Sequence, residues 1–403
     1  MAIGASIRFY KKTHLRDTKM PIDFNITEHD FKSQIQGTKP YLFKNALKEH
    51  AIDWKLVNEL ISRHDHTSSN FKLLKNGLIL KYDYLEQYQE VFTTKYRASK
   101  LKLYELMRSG ASLALNKIEN CPETDQIRTQ IAHFTGRQTI VSGYAAFGSE
   151  PSFGNHWDTH DVFAVQLIGK KRWTIYAPTE TNPLYKNSSV GKEDQCIEPP
   201  VMDIVLEAGD VFYLPRGWWH EVTASGDETF HLAVSTYPPY VTDYLNWLVE
   251  DISTKSEIFR APVEPGAPAN SSWEDLGGQL SEAIQSMENQ NRFSQWFSSL
   301  QRLDSPYAIE LFGNEKAAPI PPESRIFVNA NNCHIWQGNE FVANGIRLKL
   351  NGLSKSIIKI ITQRQGIQID ALLARFPEMP GSRIESFIIE LIKQDVLAIH
   401  LPS

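Results

Sequence analysis

The sequence has little of what marks secreted, membrane-spanning or nucleic-acid-binding proteins. Its three cysteines, Cys121, Cys196 and Cys333, are far apart and odd in number, which fits neither a disulfide framework nor a zinc pattern. Residues 1–20 contain no apolar segment typical of a signal peptide, and no apolar run is long enough to span a membrane. The net charge of −5 gives no electrostatic reason to expect nucleic-acid binding. We therefore expect a protein of the reducing cytoplasm.

The composition is that of a globular protein with a substantial core. Apolar residues make up 41% of the 403 residues and aromatic residues 11%, and neither repeats nor low-complexity runs occur. This length predicts two or three domains. Changes in pattern divide the chain into a candidate catalytic region at 1–238, a helical region at 239–313 and a third block at 314–403.

Two short segments carry the residue types of an open metal site. His156 and Asp158 are separated by one residue, and on a strand two such side chains point to the same face. His220, expected on a distant strand, would complete a set of two histidines and one carboxylate. Fe(II) oxygenases use such a facial set, which leaves three metal positions free. In the alternative interpretation the histidines are packed core residues and Asp158 belongs to a turn.

Local patterns around these segments favour the metal site. Gly209-Asp210 predicts a tight turn into a buried strand at 211–214, after which Pro215 and Gly217 predict a bend that presents His220. Two β-rich runs, 162–168 and 171–176, flank Gly169-Lys170 and predict a hairpin.

Lys171 lies at the start of the second of these runs. Period 2 places Lys171 on the same face as Trp173 and Ile175, and so toward the interior. A buried lysine needs an anion, because an unpaired buried charge is costly. A dicarboxylate co-substrate would supply that anion. The alternative is an exposed lysine on a hairpin.

The segment from Gly154 to Trp173 resembles the JmjC-type cupins of the ribosomal oxygenase family. The family pattern is a metal-binding His-x-Asp, an F-x-x-Q-x-x-G-x-[KR]-x-W segment and a distal histidine. Its second part falls in register on Phe163, Gln166, Gly169, Lys171 and Trp173. The resemblance covers residues 135–237. It implies a mainly β catalytic domain, a double-stranded β-helix or jelly-roll cupin of the JmjC type.

The resemblance also implies roles for individual residues. His156, Asp158 and His220 would bind Fe(II), and Lys171 would pair with the distal carboxylate of the co-substrate 2-oxoglutarate, with O2 as the other co-substrate. Some bacterial members have arginine at that position, whereas human-like members have lysine. Ser142 falls where relatives place a polar residue near the co-substrate. His231 would line the pocket, or would be a hydrogen-bonded core histidine.

Two other polar segments carry weaker signals. His64-Asp65-His66 lies in a polar loop with no third ligand in view, and we reject it as a metal site. The polar, turn-rich segment 182–200 lies between the two parts of the triad. We expect a surface loop near the pocket mouth, either selecting substrate or merely connecting two strands.

The remaining blocks are predicted to be helical and winged-helix-like. Helical spacing covers 241–252, and a capping box at Ser271 and Glu274 begins an apolar helix that runs to Leu300. The family resemblance implies a homodimer through this region. Helices near 357–361, 369–373 and 384–392 and a closing strand at 396–399 resemble a winged helix. Its nearly balanced charges disfavour DNA binding.

These observations predict a 2-oxoglutarate-dependent Fe(II) oxygenase that hydroxylates a protein side chain. The family resemblance makes a ribosomal protein the leading substrate, since bacterial members hydroxylate a ribosomal-protein arginine and human relatives ribosomal-protein histidines. The alternatives are N-methyl-lysine demethylation, hydroxylation of a small molecule, and a non-enzymatic metal-binding cupin that regulates through the winged helix. The same ligands also bind manganese or zinc.

Overall fold

A computed structural model describes residues 21–48, 50–148, 154–263, 271–300, 302–303, 305–313, 319–330, 336–363 and 366–402. The chain divides into two compact units at Pro238–Pro239. The first holds the predicted catalytic region, and the second holds the rest. Within the described ranges, every helix is too short or too polar to cross a membrane.

The first unit is mainly β. Its strands are β1 Tyr41–Phe43, β2 Phe71–Leu74, β3 Leu85–Glu90, β4 Thr93–Ala98, β5 Ser112–Leu115, β6 Gln138–Ala146, β7 Asp161–Ile168, β8 Lys170–Tyr176, β9 Met202–Glu207, β10 Val211–Leu214, β11 Trp219–Ala224 and β12 Thr229–Tyr237. Its helices are α1 Glu28–Gln34, α2 Trp54–Arg63, α3 Lys81–Tyr84, α4 Lys100–Arg108 and α5 Pro122–Thr135.

Two antiparallel sheets face each other, which confirms the predicted jelly-roll architecture. The larger sheet has the order β1-β10-β7-β12-β6-β5-β2, and the smaller has the order β11-β8-β9. Side chains from both sheets form a common core between them: Ala164, Phe212 and Leu214 from the larger sheet, and Trp173, Ile175 and Leu206 from the smaller. This inner space contains the candidate site.

The predicted hairpin at 162–176 is wrong, because the chain crosses from one sheet to the other at Gly169. β7 pairs with β10 and β12 in the larger sheet, whereas β8 pairs with β9 and β11 in the smaller one. Gly169 has φ 64°, and a Cβ atom there would lie 2.0 Å from the carbonyl oxygen of Glu228. Only glycine therefore fits this corner. The crossing places Lys171 in the central strand of the smaller sheet.

Strand alternation sorts the larger sheet into an outer and an inner face. On β12, Phe230, Leu232 and Val234 join the outer core, where aromatic side chains from α1 and α5 pack against the sheet. The intervening residues His231 and Ala233 therefore face the smaller sheet. This alternation determines which polar side chains reach the interior.

The second unit begins with three helices, α6 Val241–Ser253, α7 Ser271–Gln285 and α8 Met287–Ser299. Trp247, Leu248, Ile252 and Phe293 form their common core. The single apolar helix predicted up to Leu300 is in fact two helices. Ser286 ends the first and caps the second, its hydroxyl accepting a hydrogen bond from the Asn289 amide. The predicted capping-box side chain of Ser271 lies outside the described residues.

A separate core holds the C-terminal part together. Its elements are α9 Ile309–Phe312, β13 Arg325–Val328, β14 Trp336–Gln337, β15 Glu340–Ala343, β16 Ile346–Lys349, α10 Gly352–Gln363, β17 Ile367–Gln368, α11 Ile369–Leu373, α12 Gly381–Lys393 and β18 Leu397–His400. The three helices and the closing strand predicted from the sequence are present, with β17-β13-β18 as one sheet. The additional sheet β14-β15-β16 was not predicted.

Candidate metal centre

Three side chains from two distant segments converge at one end of the space between the sheets. Ligand atoms of His156, Asp158 and His220 all lie within 4.8 Å of one another. The Nε2 atom of His220 is 3.7 Å from Oδ2 of Asp158, and the two imidazole rings have centroids 4.3 Å apart. Within the described part of the chain, this is the single cluster of three or more such residues that could hold a metal ion.

Backbone hydrogen bonds hold the two segments in register. The His156 amide donates to the carbonyl of His220 over 3.1 Å, and the His220 amide donates back over 2.8 Å. His220 lies on β11, as the sequence predicts, but His156 makes an isolated bridge and Asp158 follows it in irregular chain. His156 and Asp158 therefore do not lie on a regular strand, and the shared face that a strand would give them does not explain their convergence. Here β7 begins only at Asp161.

Both histidines present the same nitrogen to the centre. Nδ1 of His156 lies 3.0 Å from the Gly154 carbonyl, and Nδ1 of His220 lies 3.1 Å from the Trp218 carbonyl. Carbonyl oxygens only accept, so each Nδ1 carries the proton and donates it, which leaves Nε2 with its lone pair. Such a second hydrogen bond fixes the tautomer and orientation of metal-binding histidines.

The protonation states also suit a metal centre. Burial, together with the neighbouring His156, lowers the pKa of His220 to about 4, so its imidazole is neutral at physiological pH. Burial alone would raise the pKa of Asp158, but the nearby His160, His220 and His156 hold that pKa below its usual value. A neutral imidazole and an ionised carboxylate are the forms that bind divalent metals.

Lys171 is buried in the same inner space, as predicted. It is 3% exposed and lies on the face of β8 that carries Trp173 and Ile175, and the alternative of an exposed lysine is wrong. Burial lowers the pKa of Lys171 to about 7. Among the described residues, neither an ion pair nor a hydrogen bond engages its ammonium group. Such a group calls for an anion.

Aromatic rings link Lys171 to the triad. The Trp173 indole stacks on His220 with ring centroids 5.9 Å apart and meets His231 edge-on at 5.9 Å. The Tyr144 ring also stacks on His231, at 5.2 Å. Burial, and then the proximity of Lys171, lowers the pKa of His231. His231 therefore lies near Lys171 and against two aromatic rings, and its role in lining the pocket stays a prediction.

Two further polar atoms in this wall lack partners. Nδ1 of His231 and Nε1 of Trp173 are buried, and no described residue accepts from or donates to either atom. The pocket therefore combines an unpaired ammonium group with unused polar atoms of two rings. Buried polar groups are normally satisfied. This set suits a carboxylate ligand placed next to a metal, so the residues present fit a metal ion and an anionic co-substrate.

Ser142 and Tyr144 share one face of β6. Ser142 is half-buried opposite Ala233 on β12, and its hydroxyl accepts a hydrogen bond of 3.3 Å from the Lys117 amide. Its proposed role at the co-substrate stays a prediction. Tyr144 was missed by the sequence reasoning. Burial and the nearby Asp158 raise its pKa, so its hydroxyl stays protonated. Its position two residues after Ser142 was the available signal.

The rejected histidine pair has other roles. Nδ1 of His64 is 2.8 Å from the Leu60 carbonyl, Nε2 of His66 is 2.8 Å from the Ile61 carbonyl, and Nδ1 of His66 accepts from the Ala98 amide over 3.0 Å. These rings tie loop backbone together.

The predicted loop at 182–200 packs against the segment that carries His156. Within this range only Glu193–Gln195 forms a helical turn. The buried hydroxyl of Ser189 donates to the Trp157 carbonyl over 3.1 Å, and the Asn155 amide group donates to the Cys196 sulfur over 3.0 Å. The loop therefore supports the segment that carries His156 and Asp158.

Comparison with known proteins agrees with this geometry. Residues 114–244 match the JmjC domain family, and the chain contains a JmjC domain. Among curated proteins it is similar to the bifunctional lysine-specific demethylase and histidyl-hydroxylase NO66. The Drosophila persimilis protein is 26% identical over 189 residues, which cover 46% of this chain and 26% of the relative. The Drosophila mojavensis protein is 26% identical over 267 residues, which cover 64% of this chain and 29% of the relative. The chain thus spans less than a third of these relatives.

Solved structures share the fold over nearly the whole chain. Escherichia coli YcfD superposes with a TM-score of 0.58 at 16% identity, covering 94% of this chain and all of the bacterial protein. A second YcfD structure, described as a ribosomal oxygenase in complex with cobalt and 2-oxoglutarate, gives a TM-score of 0.56 at 14% identity. It covers 94% of this chain and 99% of the bacterial protein. At these identities the likeness establishes the fold.

Proposed function

We propose that this protein is an Fe(II)- and 2-oxoglutarate-dependent oxygenase that hydroxylates a protein side chain, with a ribosomal protein as the leading substrate. The observation that carries the proposal is Lys171, which is buried and has no partner among the described residues, on the strand whose Trp173 stacks on His220. A site that only bound a metal would have no use for a second buried cation. A site for a metal and a dicarboxylate co-substrate would use the triad for the metal and Lys171 for the second carboxylate.

Each group has a definite task in this proposal. His156, Asp158 and His220 would hold the metal from one side, which leaves its other positions for 2-oxoglutarate and O2. When bound, iron and 2-oxoglutarate would supply the oxidation of a substrate C–H bond with formation of succinate. Lys171 would bind the distal carboxylate, and His231 would pack beside it. The rings of Trp173 and Tyr144 would exclude water and orient the ligands.

The substrate assignment rests on analogy rather than on the pocket itself. The NO66 relatives are named as histidyl-hydroxylases, and YcfD is described as a ribosomal oxygenase. The NO66 name also includes lysine demethylation, which makes that reaction the second candidate. It would release formaldehyde after hydroxylation of a methyl group, so the two reactions are distinguished by their products.

We further infer that the protein acts in the cytoplasm as a homodimer assembled through residues 239–313. The free cysteines Cys121 and Cys196 support the compartment. The dimer is supported by the apolar helices of this region together with the family resemblance. The nearly balanced charge of residues 314–403 favours an accessory role for that block over DNA binding.

The proposal is tested on ribosomal proteins of the native host, with and without the gene. Intact-mass spectrometry should detect a gain of one oxygen atom on one protein, absent from the deletion strain and restored by the wild-type gene but not by Asp158→Ala. Purified protein with Fe(II), O2, 2-oxoglutarate and that substrate should form one succinate for each hydroxyl group added to the substrate. Identical masses in all strains would remove the ribosomal assignment, and absence of iron-dependent succinate formation with the native substrate would refute the oxygenase.

A further inference from the structure

A buried carboxylate that is not one of the three candidate metal ligands connects the segment of His156 and Asp158 to the turn before His220. Asp161 begins β7, three residues after Asp158, and is 3% exposed. Its Oδ2 accepts hydrogen bonds from the Tyr213 hydroxyl over 2.6 Å and from Arg137 Nη1 over 2.5 Å. Its Oδ1 accepts a hydrogen bond of 3.0 Å from the backbone amide of Arg216.

The third of these bonds reaches the turn that delivers His220. Arg216 lies in the bend between β10 and β11, and the next residue, Gly217, donates its amide to the Asp158 carbonyl over 2.9 Å. Two successive amides of the turn are therefore held by the segment that carries Asp158, one by its backbone and one by the Asp161 side chain. The turn cannot shift relative to Asp158 without breaking both bonds.

The turn is also confined from the opposite side. Gly217 has φ 83°, and a Cβ atom there would lie 2.5 Å from the Glu180 carbonyl. The guanidinium of Arg216 donates to the Pro183 carbonyl over 3.2 Å. The position of His220 is therefore set by packing against residues 180–183 and by attachment to Asp161.

The carboxylate itself is held rigidly. Tyr213 is fully buried, and its hydroxyl accepts from the Gly37 amide over 2.7 Å while it donates to Asp161. Burial and the nearby Asp161 raise the pKa of Tyr213, so the hydroxyl remains a donor. Arg137 supplies the opposite charge. A buried carboxylate with three fixed donors is a stiff connection.

We propose that Asp161 is a positioning residue of the metal centre, which sets the placement of His220 relative to Asp158 and so the affinity and geometry of metal binding. This inference rests on the proposed metal-dependent function. Groups that orient metal ligands typically change metal affinity by about 10–100-fold when they are removed. Asp161 does so through the backbone of the turn rather than through an imidazole.

The same sheet contains a matched control. Asp210 is 1% exposed and also accepts three hydrogen bonds, from Lys44 Nζ at 2.9 Å, the Asn45 amide at 2.8 Å and the Glu207 amide at 2.9 Å. It precedes β10, whereas Asp161 lies beside the other end of that strand. Asp210→Asn thus perturbs a similar buried carboxylate at the end of β10 away from the turn.

The test is Co(II) binding to the 403-residue chain without 2-oxoglutarate. Calorimetry measures the affinity, and the visible spectrum of the bound ion reports its coordination geometry. Asp161→Ala and Asp161→Asn should weaken binding by at least about tenfold and alter the spectrum. The asparagine variant should be less affected than the alanine variant, because its amide oxygen can still accept from Arg216. It should still be weakened, because its NH2 group would face Tyr213 and Arg137, which both donate to Asp161. Asp210→Asn should bind within about twofold of wild type with an unchanged spectrum, even if its melting temperature falls equally.

Three outcomes would overturn the inference. The first is a folded Asp161→Asn variant with wild-type affinity and spectrum. This variant decides the question on its own if the alanine variant does not fold. The second is an equal loss of affinity in Asp210→Asn, since the effect would then follow stability. The third is a wild-type protein that binds no Co(II), which refutes the metal-dependent function as well. The first two leave that function standing.

Discussion

His156 and His220 exchange two backbone hydrogen bonds, at 3.1 and 2.8 Å, while their rings lie 4.3 Å apart. The two residues therefore form one short antiparallel bridge between segments far apart in the sequence. Each ring also donates Nδ1–H to the carbonyl two residues earlier. The bridge orders both main chains and the carbonyls orient both rings, so the pair is organised before any metal arrives.

Removing a triad residue should abolish turnover without unfolding the protein. His156→Ala and Asp158→Ala each delete one ligand from a half-buried position, where little packing is lost. We expect at least about a 100-fold loss of succinate formation, because the metal would be lost or misplaced. Circular dichroism should be unchanged. The exposed His29 provides a control, and His29→Ala should retain wild-type turnover. Coupled activity retained by a pure triad variant would refute the metal assignment.

Two adjacent lysines test the co-substrate site. Lys171 is buried in the pocket, whereas Lys170 is exposed on the same strand. Lys171→Ala should raise the KM for 2-oxoglutarate by at least about tenfold, since a buried charge-assisted contact is worth roughly 1.5–3 kcal/mol. The kcat at saturation should change less. Lys170→Ala should leave both constants unaltered. An unchanged KM in Lys171→Ala would remove this residue from the co-substrate site.

The unpaired lysine should make the ligand-free protein less stable. Its pKa falls from 10.5 to about 7 on folding, so the unfolded chain binds more protons between these values. The destabilisation is therefore complete below pH 7 and is relieved as pH rises toward 10.5. Lys171→Met should raise the free energy of unfolding at pH 7 by roughly 1–4 kcal/mol, and by less at pH 9. Urea unfolding at both pH values measures this. A less stable Lys171→Met variant at pH 7 would contradict the prediction.

Affinity for 2-oxoglutarate should decrease at alkaline pH. Binding of the distal carboxylate requires the ammonium form of Lys171, whose pKa in the ligand-free pocket is about 7. Above that pH the affinity should weaken by up to about tenfold per unit, as the proton must be taken up on binding. Arginine stays protonated throughout this range, so Lys171→Arg should bind with little dependence on pH. Calorimetry between pH 6 and 9 checks this, and equal pH profiles for the two proteins would count against it.

Periodicity was sufficient to predict the placement of Lys171. Alternation along one strand put Lys171 on the same face as Trp173, which needs only the local direction of side chains, and both side chains are buried. His156, Asp158 and His220 were singled out by the order of ligand types along the chain together with the family resemblance. The structure brings these three side chains together, and their role as metal ligands stays a prediction.

What depends on long-range contacts was not predictable. A glycine between two apolar runs looks the same whether the chain folds back as a hairpin or crosses to another sheet. At Gly169 the choice is made by contact with Glu228, far along the sequence. Likewise, Asp161 looks like the polar start of a strand. Its connection to the turn at Arg216 appears only once Arg137 and Tyr213 are packed around it.

The most direct test of the account is a calorimetric titration of 2-oxoglutarate into wild-type protein at pH 7, with and without Mn(II) as a stable substitute for Fe(II). We predict that one equivalent of 2-oxoglutarate binds tightly with the metal and at least about tenfold more weakly without it. Lys171→Ala should lose affinity under both conditions, and Asp158→Ala should lose the effect of the metal. The proposed site would be contradicted if 2-oxoglutarate did not bind in the presence of metal. It would also be contradicted if the affinity changed neither on removal of the metal nor in Lys171→Ala.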